Sequence, residues 1–496
     1  MDKIVENTET DLNEILRIRR EKLEALKQEG RNPFDITRFD REYTAKEILD
    51  NFDSLQNKEV SLAGRIMAKR IMGKASFCHI QDGLDRIQLY VRVDELGEDK
   101  YAEFRKYDIG DIVGVKGIPF VTHMGEKSIR VKSIVLLTKS LQVLPEKFHG
   151  LKDMDLRYRQ RYVDLIVNPD VKSVFITRAN IMKAIREFMH SLGYLEVETP
   201  VLHNQATNAN ARPFATYHNT LNIDMYLRIE LELHLKRLIV GGLDKIFEIG
   251  KVFRNEGMDT RHNPEFTLME LYEAYADMYT MMERAEQIFC YIADNVLSTR
   301  KIDYQGQIIN VEAPWRRLTM IEAVKEYSGV DFDSFTLDDA AARSAAKKHN
   351  VRIEKHWNWG MILNAFFEEY AEKNLIQPTF IYQYPIEISP LAKRNKEKPH
   401  LTERFEFFVL GNEMGNAFSE LNDPVDQRER LIAQAKSKFG EYDFTIDDDF
   451  INALEVGMPP TGGMGLGLER MIMLFTNSTS IRDVMFFPTM KPESNG

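Results

Sequence analysis

Residues 253–270 read FRNEGMDTRHNPEFTLME, and they constrain the chain more than any other stretch. Two apolar runs of strand character flank the segment, EIGKVF before it and EFTLMEL at its end. The Asn-Glu-Gly and His-Asn-Pro clusters between them predict a long hairpin loop. Arg254, Glu256, His262 and Phe266 are spread across that loop. A guanidinium fork at a loop mouth grips a phosphate or carboxylate at two points, which a lysine cannot do. A phenylalanine a few residues on offers a face to a flat base. Alone, the pattern fits an Arg–Glu surface pair on a hairpin as well as a nucleotide-binding loop.

A second stretch, TGGMGLGLER at 461–470, places glycines at 463, 465 and 467 and ends in Arg470. Alternating glycines permit close approach of a backbone or ligand, and the helical pattern ERMIMLF follows. No acidic residue on a following strand completes a dinucleotide fingerprint. A third stretch, GYLEVETPVL at 193–202, predicts a short strand ending at Pro200. Together the three resemble the signature motifs of class II aminoacyl-tRNA synthetases. KFHGLKD at 147–153, RYRQRYVDLI at 157–166, MYLRI at 225–229, RHNPEFT at 261–267, AFSELNDP at 417–424 and TNSTSIRDVMFFP at 476–488 resemble the bacterial lysyl-tRNA synthetases in particular. The resemblance runs from about residue 58 to the C-terminus.

A length of 496 residues allows two or three domains. Hydrophobic content of 43% and charged content of 29% fit a globular protein. No run of about 18 apolar residues predicts a membrane span, and the charged start MDKIVENTETDLNEIL lacks a signal core. A cytoplasmic location is the expectation. Cys78 and Cys290, far apart, fit a reducing compartment and exclude a thiolate zinc site. A net charge of −11 argues against indiscriminate nucleic-acid binding, while local basic patches still decide specific RNA contacts.

Residues 9–30 predict a helix with Leu12, Ile15, Leu16, Ile18, Leu23 and Leu26 mostly on one stripe. Its Arg17, Arg19, Arg20, Lys22 and Lys27 form either a solvated face or an auxiliary tRNA contact. From Glu59 to about Lys139, short strands between Gly/Asp turns predict a small barrel. Arg65, Lys69, Arg70 and Lys74 place positive charge beside Phe77. Residues 140–170 read as a linker, and about 173–192 as a helix with Ile181, Ile185, Phe188, Met189 and Leu192 on one face. The resemblance implies an α+β chain: an extension at 1–57, an anticodon-binding OB-fold β-barrel at 58–145, and a class II catalytic domain at 146–496. The catalytic domain is expected to be an antiparallel sheet flanked by helices, with a helical insertion near 314–375. A homodimer is implied as well.

The implied reaction joins L-lysine and ATP into lysyl-adenylate, then transfers the lysyl group to the 3′ end of tRNA(Lys). The substrate's own carboxylate is the nucleophile, so the protein must position two anions and neutralise phosphate charge. Arg254 and Arg470 are the expected catalytic residues. Arg254, Glu256, His262, Phe266, Glu406, Glu413 and Arg470 are expected to bind ATP. Glu406 and Glu413 match the family's Mg2+ ligands, as hard oxygen donors should. Asn208, Glu232, Arg254, Glu270, Tyr272, Asn416, Phe418 and Glu420 are expected to bind lysine. Glu270 and Glu420 match the family's carboxylates for the side-chain ammonium, a cation that must be paired when desolvated. Phe77, Gln81 and Glu126 match the anticodon contacts.

The chain departs from the family at two places. Thr207-Asn208 stands where Gly-Gly is usual, and Glu230 stands where alanine is usual. Glu230 either complements a helix dipole away from the substrate or faces the pocket. Rival readings are a paralogue that charges tRNA with a lysine analogue, an enzyme that lysylates a protein, and a catalytically silent RNA-binding regulator. The presence of a predicted N-terminal barrel speaks against the second, and the presence of Arg254, Glu406, Glu413 and Arg470 against the third.

Overall fold

The computed structural model describes residues 2–83, 85–145, 151, 153–205, 211–437 and 446–493. The chain divides into two compact units, Met1–Ser173 and Val174–Gly496.

In the first unit, β1 (Val60–Met72), β2 (Ala75–Asp82), β3 (Asp85–Arg92), β4 (Ile112–Val121) and β5 (Lys127–Thr138) close into a barrel in the order β1-β2-β3-β5-β4. Inward positions alternate along each strand, as in Cys78 and Ile80, or Ile87, Leu89 and Val91, all buried. The helix Asp2–Gln28 precedes the barrel. The predicted apolar stripe is only partly used, since Leu12, Ile15 and Ile18 are exposed. Leu23 and Arg19 are buried instead. The Arg19 guanidinium donates to the carbonyls of Ser140 at 3.1 Å and Ile109 at 3.0 Å, and Lys22 pairs with Asp108 at 2.6 Å. Part of the basic face is therefore packing, neither solvated nor open to RNA. The predicted linker is also more ordered than its composition suggests. It contains helices Met154–Arg159 and Arg161–Val167, tied together by Asp164, which pairs with Arg157 at 2.9 Å and Arg161 at 2.6 Å.

The second unit is built on an eight-stranded sheet in the order β14-β15-β16-β17-β18-β11-β10-β6. Its strands are β6 (Leu195–Glu196), β10 (Lys245–Phe253), β11 (Glu265–Ala274), β14 (Arg316–Thr319), β15 (Thr379–Tyr382), β16 (Arg404–Val409), β17 (Asn412–Ser419) and β18 (Thr461–Gly467). Pairing is antiparallel from β15 to β10. The two edge pairs, β14–β15 and β10–β6, are parallel, so the expected antiparallel sheet is a mixed one. Short edge strands limit unwanted pairing. A small sheet of β7 (Leu202–His203), β8 (Ala215–His218) and β9 (Ile223–Leu227) and a hairpin of β12 (Lys301–Tyr304) and β13 (Gln307–Asn310) lie outside it.

One face of the large sheet packs on helices Pro169–Ser191, Met278–Ile292 and Leu468–Phe475 through Ile181, Ile185, Phe289, Met471 and Ile472. The sheet offers that face Phe247, Met269, Leu271, Phe405, Phe407, Ala417, Met464 and Leu466. With a side-chain period of two, the alternate residues must face the other way. The interval 320–375 is mainly helical, as expected, and builds its own core around Phe332, Trp359, Ile362 and Phe366.

Candidate active site

The alternate residues of four central strands form the floor of a cleft of about 490 Å³. β11 contributes Phe266, Leu268, Glu270 and Tyr272, β17 contributes Asn416 and Phe418, and β16 contributes Arg404. Between β11 and β17 runs β18, whose Gly463 pairs with Tyr272 and Phe418, and whose Gly465 pairs with Glu270 and Asn416. The alternating glycines thus strip the middle strand of side chains on the cleft side. A Cβ on Gly463 would collide with the Glu420 carboxylate and the Tyr272 ring.

At one end the β10–β11 hairpin delivers Arg254. Its backbone N–H donates to the Pro264 carbonyl at 2.8 Å, which pins the loop. The guanidinium lies 5.2 Å from the centre of the Phe266 ring and donates only weakly, at 3.4 Å, to the Ile229 carbonyl. Its fork therefore remains available for an anion. Arg470, on the helix after β18, donates to the Glu413 carbonyl at 2.7 Å and lies 3.3 Å from His262 Nε2. His262 is held in turn by Asp259 at 2.9 Å. Glu256 is exposed on the same hairpin loop and also lines the cleft. Arg254, Glu256, His262, Phe266 and Arg470, distant in sequence, thus share one cleft.

Glu406 and Glu413 stand on neighbouring strands, with a bulge between Phe407 and Phe408 in their register. The Glu406 carboxylate accepts from Tyr384 Oη at 2.9 Å and pairs with Arg404. Burial pushes its pKa up to about 7, Arg404 opposes the shift and Glu413 adds to it. An enclosed Glu406 and a half-exposed Glu413 that repel one another are suited to a divalent cation. Among the described residues no group of three or more His, Cys, Asp or Glu could hold a metal by itself. Mg2+ held by two carboxylates and substrate phosphates does not need one.

The other end is acidic. Glu270 accepts from the Leu231 N–H at 3.1 Å and from Tyr272 Oη at 3.0 Å. Burial and then Glu232 push its pKa up to about 7. Glu420 is 1% exposed, and burial raises its pKa to about 8 against the pull of Lys236. Sequence reasoning missed Lys236. This fully buried residue contacts Glu232 and Glu420, each at 2.5 Å, and its pKa is raised by those acids despite burial. The expected free acid pair is therefore Glu270 with a Glu420 that already has a resident ammonium. Position i+4 from Glu232 on the helix Glu232–Val240 was the available signal. Glu230 faces the cleft and is 9% exposed, which overturns the helix-dipole alternative. Asn416 accepts from Arg404 at 3.1 Å, and Phe418 lies 5.7 Å from the same guanidinium. Glu469, also missed, ties the hairpin to the helices: it accepts from the Thr267 N–H at 2.8 Å and from Arg178 at 3.0 Å. Asn208 and Thr207 lie outside the described residues.

The barrel carries a second cavity, of about 890 Å³. Phe77 stacks on Tyr90 at 5.0 Å, and Tyr90 meets Phe120 at 5.7 Å. Arg92 and Arg130 lie over the Tyr90 and Phe120 rings. Lys69 and Arg70 line the cavity; Arg65 and Lys74 do not. Glu126 lines it too and accepts from Gln88 at 2.7 Å. Gln81 is not part of it. That side chain is buried, donates to the Ile166 carbonyl at 3.1 Å and accepts from Arg86 at 2.7 Å. The cavity's glutamine is Gln88, which the alternation Gln88, Tyr90, Arg92 along β3 could have indicated. Among the described residues no helix is long and apolar enough to cross a membrane.

The model of class II tRNA synthetases (D, K and N) matches residues 153–491, and that of OB-fold nucleic acid binding domains matches residues 60–137. A lysine--tRNA ligase of Thermoanaerobacter sp. is 57% identical over 496 residues, covering 100% of this chain and 99% of the relative. That of Clostridium acetobutylicum is 53% identical, covering 99% and 96%. That of Carboxydothermus hydrogenoformans is 54% identical, covering 97% and 99%. Full-length similarity at this level, on a sheet that holds all three motif stretches and lines its cleft with two of them, places the chain in the lysine--tRNA ligase family of class II tRNA synthetases.

Proposed function

We propose that the protein activates L-lysine with ATP and transfers the lysyl group to tRNA(Lys). The observation that carries the reading is the polarity of the cleft. Glu232, Glu270 and Glu420 gather at one end, and Arg254 and Arg470 at the other, within one 490 Å³ space. A long amino acid with two ammonium groups and a carboxylate matches that polarity. The ε-ammonium meets Glu270 and Glu420 beside Tyr272, and the α-ammonium meets Glu232. Asn416 and Phe418 bound the pocket, and Asn208 belongs to it by resemblance.

In the first step the lysine carboxylate oxygen bonds to the α-phosphorus of ATP. The α–β phosphoanhydride bond breaks, and pyrophosphate leaves with its electron pair. Arg254 holds both anions in line and stabilises charge spreading on the phosphate. Arg470 and His262 receive the far phosphates, Phe266 stacks on adenine, and Glu256 contacts the base. Glu406 and Glu413 would hold Mg2+, which when bound supplies charge neutralisation to the phosphates. In the second step a ribose hydroxyl of the tRNA's terminal adenosine attacks the acyl carbon, and AMP departs.

Residues 58–145 form the anticodon-binding domain in this reading, with Phe77, Gln88 and Glu126 as contacts, and 146–496 the catalytic domain. Exposed Leu195, Val201, Leu202, Tyr217 and Ile223 support a homodimer, since an apolar surface of this kind favours a partner. The cytoplasm, where tRNA charging takes place, is the assigned location. The test is ATP–pyrophosphate exchange with a panel of amino acids, followed by charging of total tRNA. L-lysine-dependent exchange and lysylation are expected, and absence of exchange with every basic amino acid would refute the reading.

A further inference from the structure

Glu230 sets this cleft apart. It directly precedes the helix Glu232–Val240, lines the cavity and is 9% exposed. Each of the other buried acids has a partner: Glu232 and Glu420 share Lys236, Glu270 takes Leu231 N–H and Tyr272 Oη, Glu406 takes Arg404 and Tyr384, and Glu469 takes Thr267 and Arg178. The Glu230 carboxylate accepts no hydrogen bond and joins no ion pair among the described residues. A cleft-lining acid without a partner, near a Glu420 whose two oxygens lack a hydrogen-bond partner and which has only its ion pair with Lys236, points to a group that arrives with the substrate.

Its position narrows the choice. Burial raises its pKa to about 8, with Glu232 and Glu270 adding to the shift and Arg254 and Lys236 opposing it. The Arg254 contact to the carbonyl of Ile229, the preceding residue, puts Glu230 at the backbone end of the pocket. If L-lysine binds as proposed, Glu232 takes one ammonium, Glu270 and Glu420 the other, and Arg254 the carboxylate. Glu230 then still has no partner.

We propose that Glu230 forms an additional subsite, beside Glu232 and Arg254, for a third basic nitrogen near the α-carbon. The cleft therefore prefers a lysine carrying a further amino group on Cβ over L-lysine. This rests on the synthetase reading of the same cleft and specifies its substrate class. Glu230 acts here as a specificity residue and takes no part in bond making.

The test is ATP–pyrophosphate exchange by the full chain with L-lysine, L-ornithine, lysine carrying an additional amino group on Cβ, and lysine carrying a hydroxyl there. The Cβ-amino compound is expected to exceed L-lysine at least tenfold in kcat/KM, through KM. Glu230→Gln and Glu230→Ala should bring that ratio to one or below. Thermal shift on the unmutated protein gives a second readout, with a larger stabilisation by the Cβ-amino compound than by L-lysine at equal concentration. Equal use of both amino acids by the unmutated protein, or a ratio unmoved by Glu230→Gln, overturns the inference and leaves the ligase reading standing. Failure of every basic amino acid to support exchange overturns the ligase reading itself.

Discussion

Arg254 is held by its backbone, and its side chain makes only one long hydrogen bond and a ring contact. Arg254→Ala should therefore leave the fold intact while removing on the order of 3 kcal/mol of transition-state stabilisation, roughly a hundredfold or more in kcat/KM for exchange. An unchanged circular dichroism spectrum with that loss of rate is the expected pair of results. The acids at the other end set a pH dependence. Glu230 and Glu420 are raised to about 8 and Glu270 to about 7, from 4.5. A raised folded-state value means that the folded protein retains protons that the unfolded chain has released. The associated stability is complete below about pH 4.5 and is lost as pH rises through about 8. The melting temperature of the ligand-free protein should fall across that window, and Glu230→Gln should flatten the fall. L-lysine binding should release protons near pH 7, seen as a dependence of the calorimetric heat on buffer ionisation enthalpy; a heat independent of buffer would contradict the assignment.

At the scale of the element, β18 decides what the cleft admits. Its glycines lie between β11 and β17, and Gly463 abuts both Glu420 and Tyr272. Gly463→Ala should raise the KM for lysine by more than tenfold with a smaller effect on that for ATP, because the new methyl group displaces the ammonium-binding acids and leaves Arg254 and Phe266 untouched. Equal effects on both substrates would show that the strand itself had shifted. The hairpin β10–β11 was legible because its turn residues and strand runs are local signals. Gln81, which the resemblance matched to an anticodon contact, does not line the barrel cavity, and a motif match says nothing of what covers a side chain. Here Ile166 and Arg86 occupy the side chain. The N-terminal helix shows the same limit: its apolar stripe was read from the period, yet Arg19 is buried where Leu12 and Ile15 are not.

Taken as a whole, the molecule carries two sites in two units, a stacking surface in the barrel and the cleft on the large sheet. Phe77→Ala removes a stacking platform worth about 1–3 kcal/mol per base. It should raise the KM for tRNA about tenfold in lysylation and leave tRNA-independent pyrophosphate exchange unchanged. Local order in the sequence determined the barrel and the hairpin, because turn chemistry and side-chain period act over a few residues; that the alternating glycines form a central strand came only with the fold. The motif resemblance also singles out Arg254, Glu270, Glu420 and Arg470, which line one cleft. Only the tertiary structure gave Lys236 to Glu232 and Glu420, turned Glu230 into the cleft, and put Gln88 where Gln81 was expected. Those outcomes depend on desolvation and on charges brought together from separate strands and helices, and neither quantity exists until the chain has packed.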